Sequence, residues 1–169
     1  MEKTFKIKRG DPAAGQEAHF DTFKFAVSKE MSILEALFYI LENLDGSLSF
    51  RYSCRGAVCG SCAMQVNGVN RLACQTLIKD LRGKTITIAP LPHLPVIKDL
   101  VVDMGSFFEK YERIGPYLVN NIPAPPKERL QSPAERKKID EMINCILCGT
   151  CYSSCSLAAL DPEYLGPAA

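Results

Sequence analysis

The chain opens on strict alternation of apolar and polar positions. Residues 4–8 read T-F-K-I-K and residues 19–27 read H-F-D-T-F-K-F-A-V, so each stretch predicts a half-buried strand, with a turn or loop at 12–16 between them. The period then lengthens. Ser32 and Glu35 form an S-x-x-E capping box, and Ile33, Leu34, Leu37, Phe38, Leu41 and Leu44 share one helical face until Asp45 and Gly46 end the run. Residues 48–51 predict a short strand, 62–66 and 71–75 a hairpin around Asn67-Gly68, and 85–89 (T-I-T-I-A) a further strand. Two strands, a helix and then short strands make an α+β order: a small mixed sheet folded over one helix.

The pattern changes after Pro90. Pro92 and Pro95 bracket His93 in a connector. Residues 96–111 predict a helix carrying Val96, Ile97, Leu100, Val101, Met104, Phe107 and Phe108. The I-P-A-P-P run at 122–126 excludes helix and inner strand. Ser132, Pro133 and Glu135 then supply an N-cap, a proline at the first helical position and a capping-box acid, predicting a helix to about Asn144. This second part shows no strand signal and is expected to be helical, and no internal repeat runs through the chain.

Composition narrows the function classes. Of the 169 residues 47% are hydrophobic and 23% charged, which suits a globular protein. Twenty basic against nineteen acidic residues give a net charge of +1, and no nucleic-acid footprint. The longest apolar run, residues 36–41, falls far short of the roughly 20 residues that span a bilayer, and the first residues lack the apolar segment of a signal peptide. Eight cysteines remain to be explained. Without an export signal the expected compartment is the reducing cytosol, where metal ligation is the better reading than disulfides.

The cysteines fall into two sets. Cys54, Cys59, Cys62 and Cys74 have the spacing C-x4-C-x2-C-x11-C, and Cys145, Cys148, Cys151 and Cys155 have C-x2-C-x2-C-x3-C. The first is the plant-type [2Fe–2S] spacing, in which three thiolates converge from one tight loop and a fourth arrives from elsewhere. Gly56, Ala57, Gly60 and Ser61 keep that loop small enough to wrap its ligand closely. The second is the bacterial ferredoxin run, whose first three cysteines serve one cubane cluster and whose fourth serves another; Ser156 stands where that pattern has proline. Zinc is the alternative for both sets, and structural thiols for the first.

The two motifs together resemble the iron–sulfur subunit of succinate dehydrogenase and fumarate reductase. The resemblance is carried by R-Y-S-C-R-G-A-V-C-G-S-C-A at 51–63, R-L-A-C at 71–74, P-V-I-K-D-L-V-V-D-M at 95–104, C-I-L-C-G-T-C-Y-S-S-C at 145–155 and D-P-E-Y-L-G-P-A-A at 161–169, and it covers essentially the whole chain. It implies a β-grasp [2Fe–2S] ferredoxin domain over residues 1–95 and an α-helical ferredoxin domain over 96–169. It implies that Cys54, Cys59, Cys62 and Cys74 hold a [2Fe–2S] cluster. Cys145, Cys148 and Cys151 would belong to a [4Fe–4S] cluster and Cys155 to a [3Fe–4S] cluster. The implied partners are a FAD-containing flavoprotein subunit and a membrane anchor with quinone, placing the chain peripherally on the cytoplasmic face of the cell membrane or the equivalent matrix side.

The sequence departs from the family in places. Gly56-Ala57 replaces the Glu-Gly that many members carry. Ser156 and Ala159-Leu160 stand where dehydrogenase-type members have proline and a tryptophan pair, and the chain contains no tryptophan. The G-T-C-Y-S-S-C run at 149–155 and the missing tryptophans look more like fumarate reductases and point to menaquinone. The family continues past G-P-A-A with further helix and another cysteine set, so the chain is expected to be C-terminally truncated, ending at the start of a helix near Pro162.

Arg55 and Arg71 flank the first set, either raising the potential of a cluster there or lying solvated at the surface. His19 and His93 have no ligand-spaced partner and read as structural. No nucleophile, oxyanion hole or paired-carboxylate site is visible, so no dicarboxylate chemistry is expected on this chain itself. Two rival functions are an iron–sulfur carrier of another reductase complex and a zinc-binding interaction module.

Overall fold

The computed structural model describes residues 1–168; Ala169, the last position of the motif at 161–169, lies outside the described residues. The first part contains strands β1 (Glu2–Asp11) and β2 (Gln16–Ala26), helix α1 (Ile33–Asn43), and strands β3 (Ala63–Val66), β4 (Val69–Leu72) and β5 (Thr85–Ala89). They build one five-stranded sheet in the order β2-β1-β5-β3-β4. β1 and β5 run parallel, and the other neighbours are antiparallel.

The alternation that predicts β1 is the one that buries it. Phe5 and Ile7 are fully covered, beside Ile86 and Ile88 of β5 and Met64 and Val66 of β3. α1 lies across this face with Ile33, Leu34, Ala36, Leu37 and Ile40 buried. Each buried leucine or isoleucine among them contributes roughly 1.5–3 kcal/mol of hydrophobic stabilisation. The capping box forms: the Glu35 amide donates to Ser32 Oγ at 3.2 Å and the Ser32 amide donates back to Glu35 Oε2 at 2.7 Å. Leu44 caps the C-terminus of the helix and is half exposed, so the buried face runs through Ala36 and Ile40 instead. Asn67 (φ 49°) and Gly68 (φ 78°) make the tight turn of the β3–β4 hairpin.

Four expectations are corrected. Residues 48–51 form no strand. They make single contacts with the later chain, the Ser49 amide donating to Asp99 Oδ2 at 2.9 Å and the Leu100 amide to Ser49 O at 3.2 Å, and no ladder develops. The helix expected over 96–111 begins only at α2 (Gly105–Arg113); before it β6 (Val96–Lys98) and β7 (Val101–Val102) form an antiparallel ribbon. β-branched Val96, Ile97, Val101 and Val102 favour extended chain, and Asp99 turns it with φ 49°. The second part is therefore not purely helical.

The third correction is the single helix over 132–144, which is broken into α3 (Pro133–Lys137) and α4 (Asp140–Ile143). Its capping box is in place, yet neither piece buries a residue, and a short helix without a packed face is not extended by propensity alone. Last, no helix opens near Pro162 among the described residues. The helical turns lie earlier, at α5 (Thr150–Ser153) and α6 (Ser156–Leu160), and the chain continues through turns.

A charged clamp ties the ribbon to the sheet. Arg9, on the core side of β1, ion-pairs with Asp45 at the end of α1, with Asp21 of β2 (3.2 Å) and with Asp99 of the ribbon turn (3.0 Å). Asp99 also accepts from the Gly10 amide at 3.1 Å. Burial lowers the Arg9 pKa, but the bonds to Asp45 and Asp99 outweigh it and the net shift is upward.

Candidate metal centres

All eight cysteines are free thiols. The first set sits on the loop between α1 and β3. Arg55, Ala57 and Gly60 hold left-handed φ values of 55°, 59° and 71°, and these reversals turn successive amides inward. Cys54 Sγ accepts from the amides of Gly56 (3.4 Å), Val58 (3.3 Å) and Cys59 (3.3 Å), and Cys59 Sγ accepts from the Cys54 amide at 3.4 Å. This is a cradle for negative sulfur. Its effect is visible at Cys59, whose thiol is lowered to about 6, first by the Ser61 hydroxyl and then by the Cys54 and Ser61 backbone.

Cys62 and Cys74 meet through the hairpin. The register pairs Ala63 with Leu72, and the Ala73 amide donates to Cys62 O at 3.0 Å, so Cys74 arrives two residues past β4, next to Cys62. The Cys62 thiol is pushed up to about 11, chiefly by burial, with Cys74 as its hydrogen-bonding and electrostatic neighbour. The four thiols thus stand as two pairs, Cys54 with Cys59 and Cys62 with Cys74. Among the described residues no three His, Cys, Asp or Glu side chains close on one point as a single-ion site requires.

In the second set Leu147 (φ 53°) and Gly149 (φ 74°) bend the chain into α5. The Cys151 thiol is raised, first by burial and then by the neighbouring Cys148 and Cys145. Cys155 packs against the smaller apolar cluster built around Leu91, Leu94, Val102, Phe107 and Tyr152. The Cys148 thiol lies 3.2 Å from the Thr150 hydroxyl.

The two sets touch. A Cβ on Gly60 would stand 2.7 Å from Cys148 Cβ, and a cavity of about 160 Å³ lined by Cys59, Gly60, Ser61, Met104, Leu147 and Cys148 among others lies between the loops. Asn70 of β4 pins the far side, its Nδ2 reaching Ser153 Oγ at 2.7 Å and Ser154 Oγ at 2.8 Å. Sequence reasoning missed Gly60 as a contact residue and Asn70 altogether; neither carries a local signal for a partner some eighty positions on. Arg55 lies over Phe38 and Tyr52, and Arg71 is exposed on β4. Among the described residues His19 reaches only its own strand, its Nδ1 lying 3.1 Å from Glu17 O and its Nε2 3.6 Å from Asp21 Oδ1.

The sequence profile of the 2Fe-2S iron-sulfur cluster binding domain matches residues 4–109. The chain is 42% identical to the fumarate reductase iron-sulfur subunit of Haemophilus influenzae, over 97% of this chain and 68% of that protein. This chain belongs to the family of succinate dehydrogenase and fumarate reductase iron–sulfur subunits. Its identity with the succinate dehydrogenase iron-sulfur subunit of Paracoccus denitrificans is 41%, over 99% of this chain and 65% of that protein. A solved chain of the Mycobacterium smegmatis Sdh1 complex in the apo form superposes with a TM-score of 0.88 at 25% identity, covering 99% of this chain and 70% of its own length. The chain thus spans about two thirds of the length of the curated relatives it matches. The family resemblance read from the motifs and the expected α+β ferredoxin-type fold both hold.

The family's cofactors are iron–sulfur clusters, and the donor set here fits one. Four free thiols on a loop whose amides already point at sulfur suit thiolates bound to a compact, negatively charged core.

Proposed function

We propose that this subunit carries electrons one at a time between a FAD-containing flavoprotein and a quinone held by a membrane anchor. The observation that carries the reading is the direct packing of the two cysteine sets at Gly60 and Cys148, which leaves no intervening element between two candidate redox sites. Cys54, Cys59, Cys62 and Cys74 hold the [2Fe–2S] group. Cys145, Cys148 and Cys151 serve a [4Fe–4S] group, and Cys155, packed against the smaller apolar cluster, serves a [3Fe–4S] group. Bound clusters supply one-electron chemistry with no bond made or broken in a substrate.

The chain's own residues cradle, separate and insulate. The inward amides of 56, 58 and 59 stabilise negative sulfur at Cys54, and the Ser61 hydroxyl does so at Cys59. Buried Cys62 places the opposite pair against the core. No dicarboxylate is bound on this chain; that chemistry belongs to the flavoprotein. Residues 1–95 form the [2Fe–2S] domain and 96–169 the second ferredoxin domain, clamped together through Arg9 and Asp99. No helix among the described residues is long and apolar enough to cross a membrane, and attachment is peripheral, on the cytoplasmic face. Menaquinone is the quinone favoured by the fumarate-reductase-like run at 145–155.

Purification from host membranes under mild detergent tests the role. Co-recovery with a flavoprotein and a hydrophobic anchor, and reduction of the visible iron–sulfur bands by succinate in that complex, are expected. Recovery as a colourless zinc-containing chain without those partners contradicts it.

A further inference from the structure

We propose that Arg55 is a positioning residue that raises the reduction potential of the first cysteine site, its guanidinium held by the rings of Phe38 and Tyr52 on the wall of a depression that it shares with Cys74. The inference rests on the [2Fe–2S] reading above.

Arg55 follows Cys54 directly and adopts φ 55°, in the left-handed region, which an arginine adopts only under local constraint. Its Cζ stands 4.8 Å from the Phe38 ring centroid and 5.5 Å from that of Tyr52. The two rings meet edge to face at 4.6 Å, and Phe50 braces Phe38 at 5.4 Å. An exposed arginine ordinarily spreads over many rotamers, and solvent screens its field. Two aromatic faces restrict this one.

The place where it is held gives the stack a consequence. Arg55, Phe38, Leu34, Leu77 and Cys74 line one depression of about 240 Å³. The other charged group on its wall, Glu35, is committed to the first turn of α1, where its carboxylate accepts from the Ser32 amide at 2.7 Å and the Ser32 hydroxyl at 2.8 Å. The cation thus shares this depression with Cys74, and the one acid on its wall is already engaged. Taking up one electron adds one negative charge to the site and moves no proton, so a fixed cation beside it favours the reduced form.

The test titrates the reconstituted 169-residue chain with dithionite and follows the [2Fe–2S] EPR signal in wild type, Arg55→Gln, Arg55→Lys and Phe38→Leu. Arg55→Gln is expected to lower the ratio of reduced to oxidised site about tenfold at a fixed potential, a shift of about 59 mV to the negative side for one electron. Phe38→Leu keeps the charge but frees it, and is expected to shift the same way. Arg55→Lys restores part of the difference. The shift shrinks in 1 M salt, where the Debye length falls to about 3 Å. An intact [2Fe–2S] signal with unshifted potential in Arg55→Gln overturns the proposal, and if that variant holds no cluster, an unshifted Phe38→Leu does so. Failure of both variants to assemble also counts against it, since a positioning role leaves assembly intact. A wild-type chain without the signal overturns the underlying [2Fe–2S] reading instead.

Discussion

Gly60 and Cys148 lie in direct backbone contact: a Cβ on the glycine would stand 2.7 Å from the cysteine Cβ and 2.8 Å from its Cα. Gly60 also holds φ +71°, so alanine there meets both backbone strain and an obstructed neighbour. Gly68 has a similar φ of +78° with nothing within 4 Å of the added carbon, and serves as the control. Gly68→Ala is expected to cost about 1–2 kcal/mol from strain alone. Gly60→Ala is expected to cost a further 1–3 kcal/mol or so from overpacking. Denaturant unfolding measures the difference, and hydrogen exchange should place the extra loosening at residues 145–155. Equal costs for the two variants contradict the contact.

The Arg9 clamp is expected to govern how the ribbon stays on the sheet. Asp99 is 3% exposed, and removing Arg9 leaves its carboxylate without its ion-pair partner. Arg9→Met should destabilise the chain by about 3 kcal/mol or more, a loss of the size seen when one member of a buried pair is removed. Arg9→Met combined with Asp99→Asn should recover part of that loss. The test is additivity in a double-mutant cycle; purely additive costs rule out the coupling.

Acid should weaken the same clamp. The Asp45 carboxyl is held down to about 2 from an ordinary 3.8 by the Ser47 hydroxyl and then by Arg9. A folded pKa below the unfolded one means that its contribution is complete above about pH 4 and is lost as pH falls toward 2. Stability measured across that window should drop less steeply in Asp45→Asn than in wild type. Identical slopes would show that Asp45 does not hold the clamp.

The parts of the fold legible in the sequence are those whose signals are local. Alternation at Phe5 and Ile7, the Ser32–Glu35 box and the Asn67-Gly68 turn each carry their own geometry, and all three appear as read. The ribbon at 96–102 was misread because Val96, Leu100 and Met104 also fit a helical period. What decides the conformation is Asp99, turned by a buried arginine ninety positions earlier. The helix at 133–143 broke because its start signal is local while the packing that would extend it is absent. The cysteine spacing likewise marked both candidate sites. It did not reveal that they touch, because the contact depends on the missing side chain of Gly60, and a glycine in a cysteine loop reads first as a bend.

Iron content separates the two cysteine sets. On the function proposed above, the first offers four thiolates to one group, whereas the second offers three to one group and one to another. The 169-residue chain reconstituted alone is therefore expected to retain about two iron atoms stably. Retention of about six, with a stable [4Fe–4S] Mössbauer signature, would mean that Cys155 completes the second site.

The most direct test of the central claim is EPR of the dithionite-reduced chain, wild type against Cys74→Ser. Cys74 is the one member of the first set that lies outside the cysteine loop, brought to Cys62 by the β3–β4 hairpin. The account predicts a rhombic [2Fe–2S] signal in wild type that Cys74→Ser abolishes or markedly alters. A full-strength, unchanged signal in the variant contradicts it.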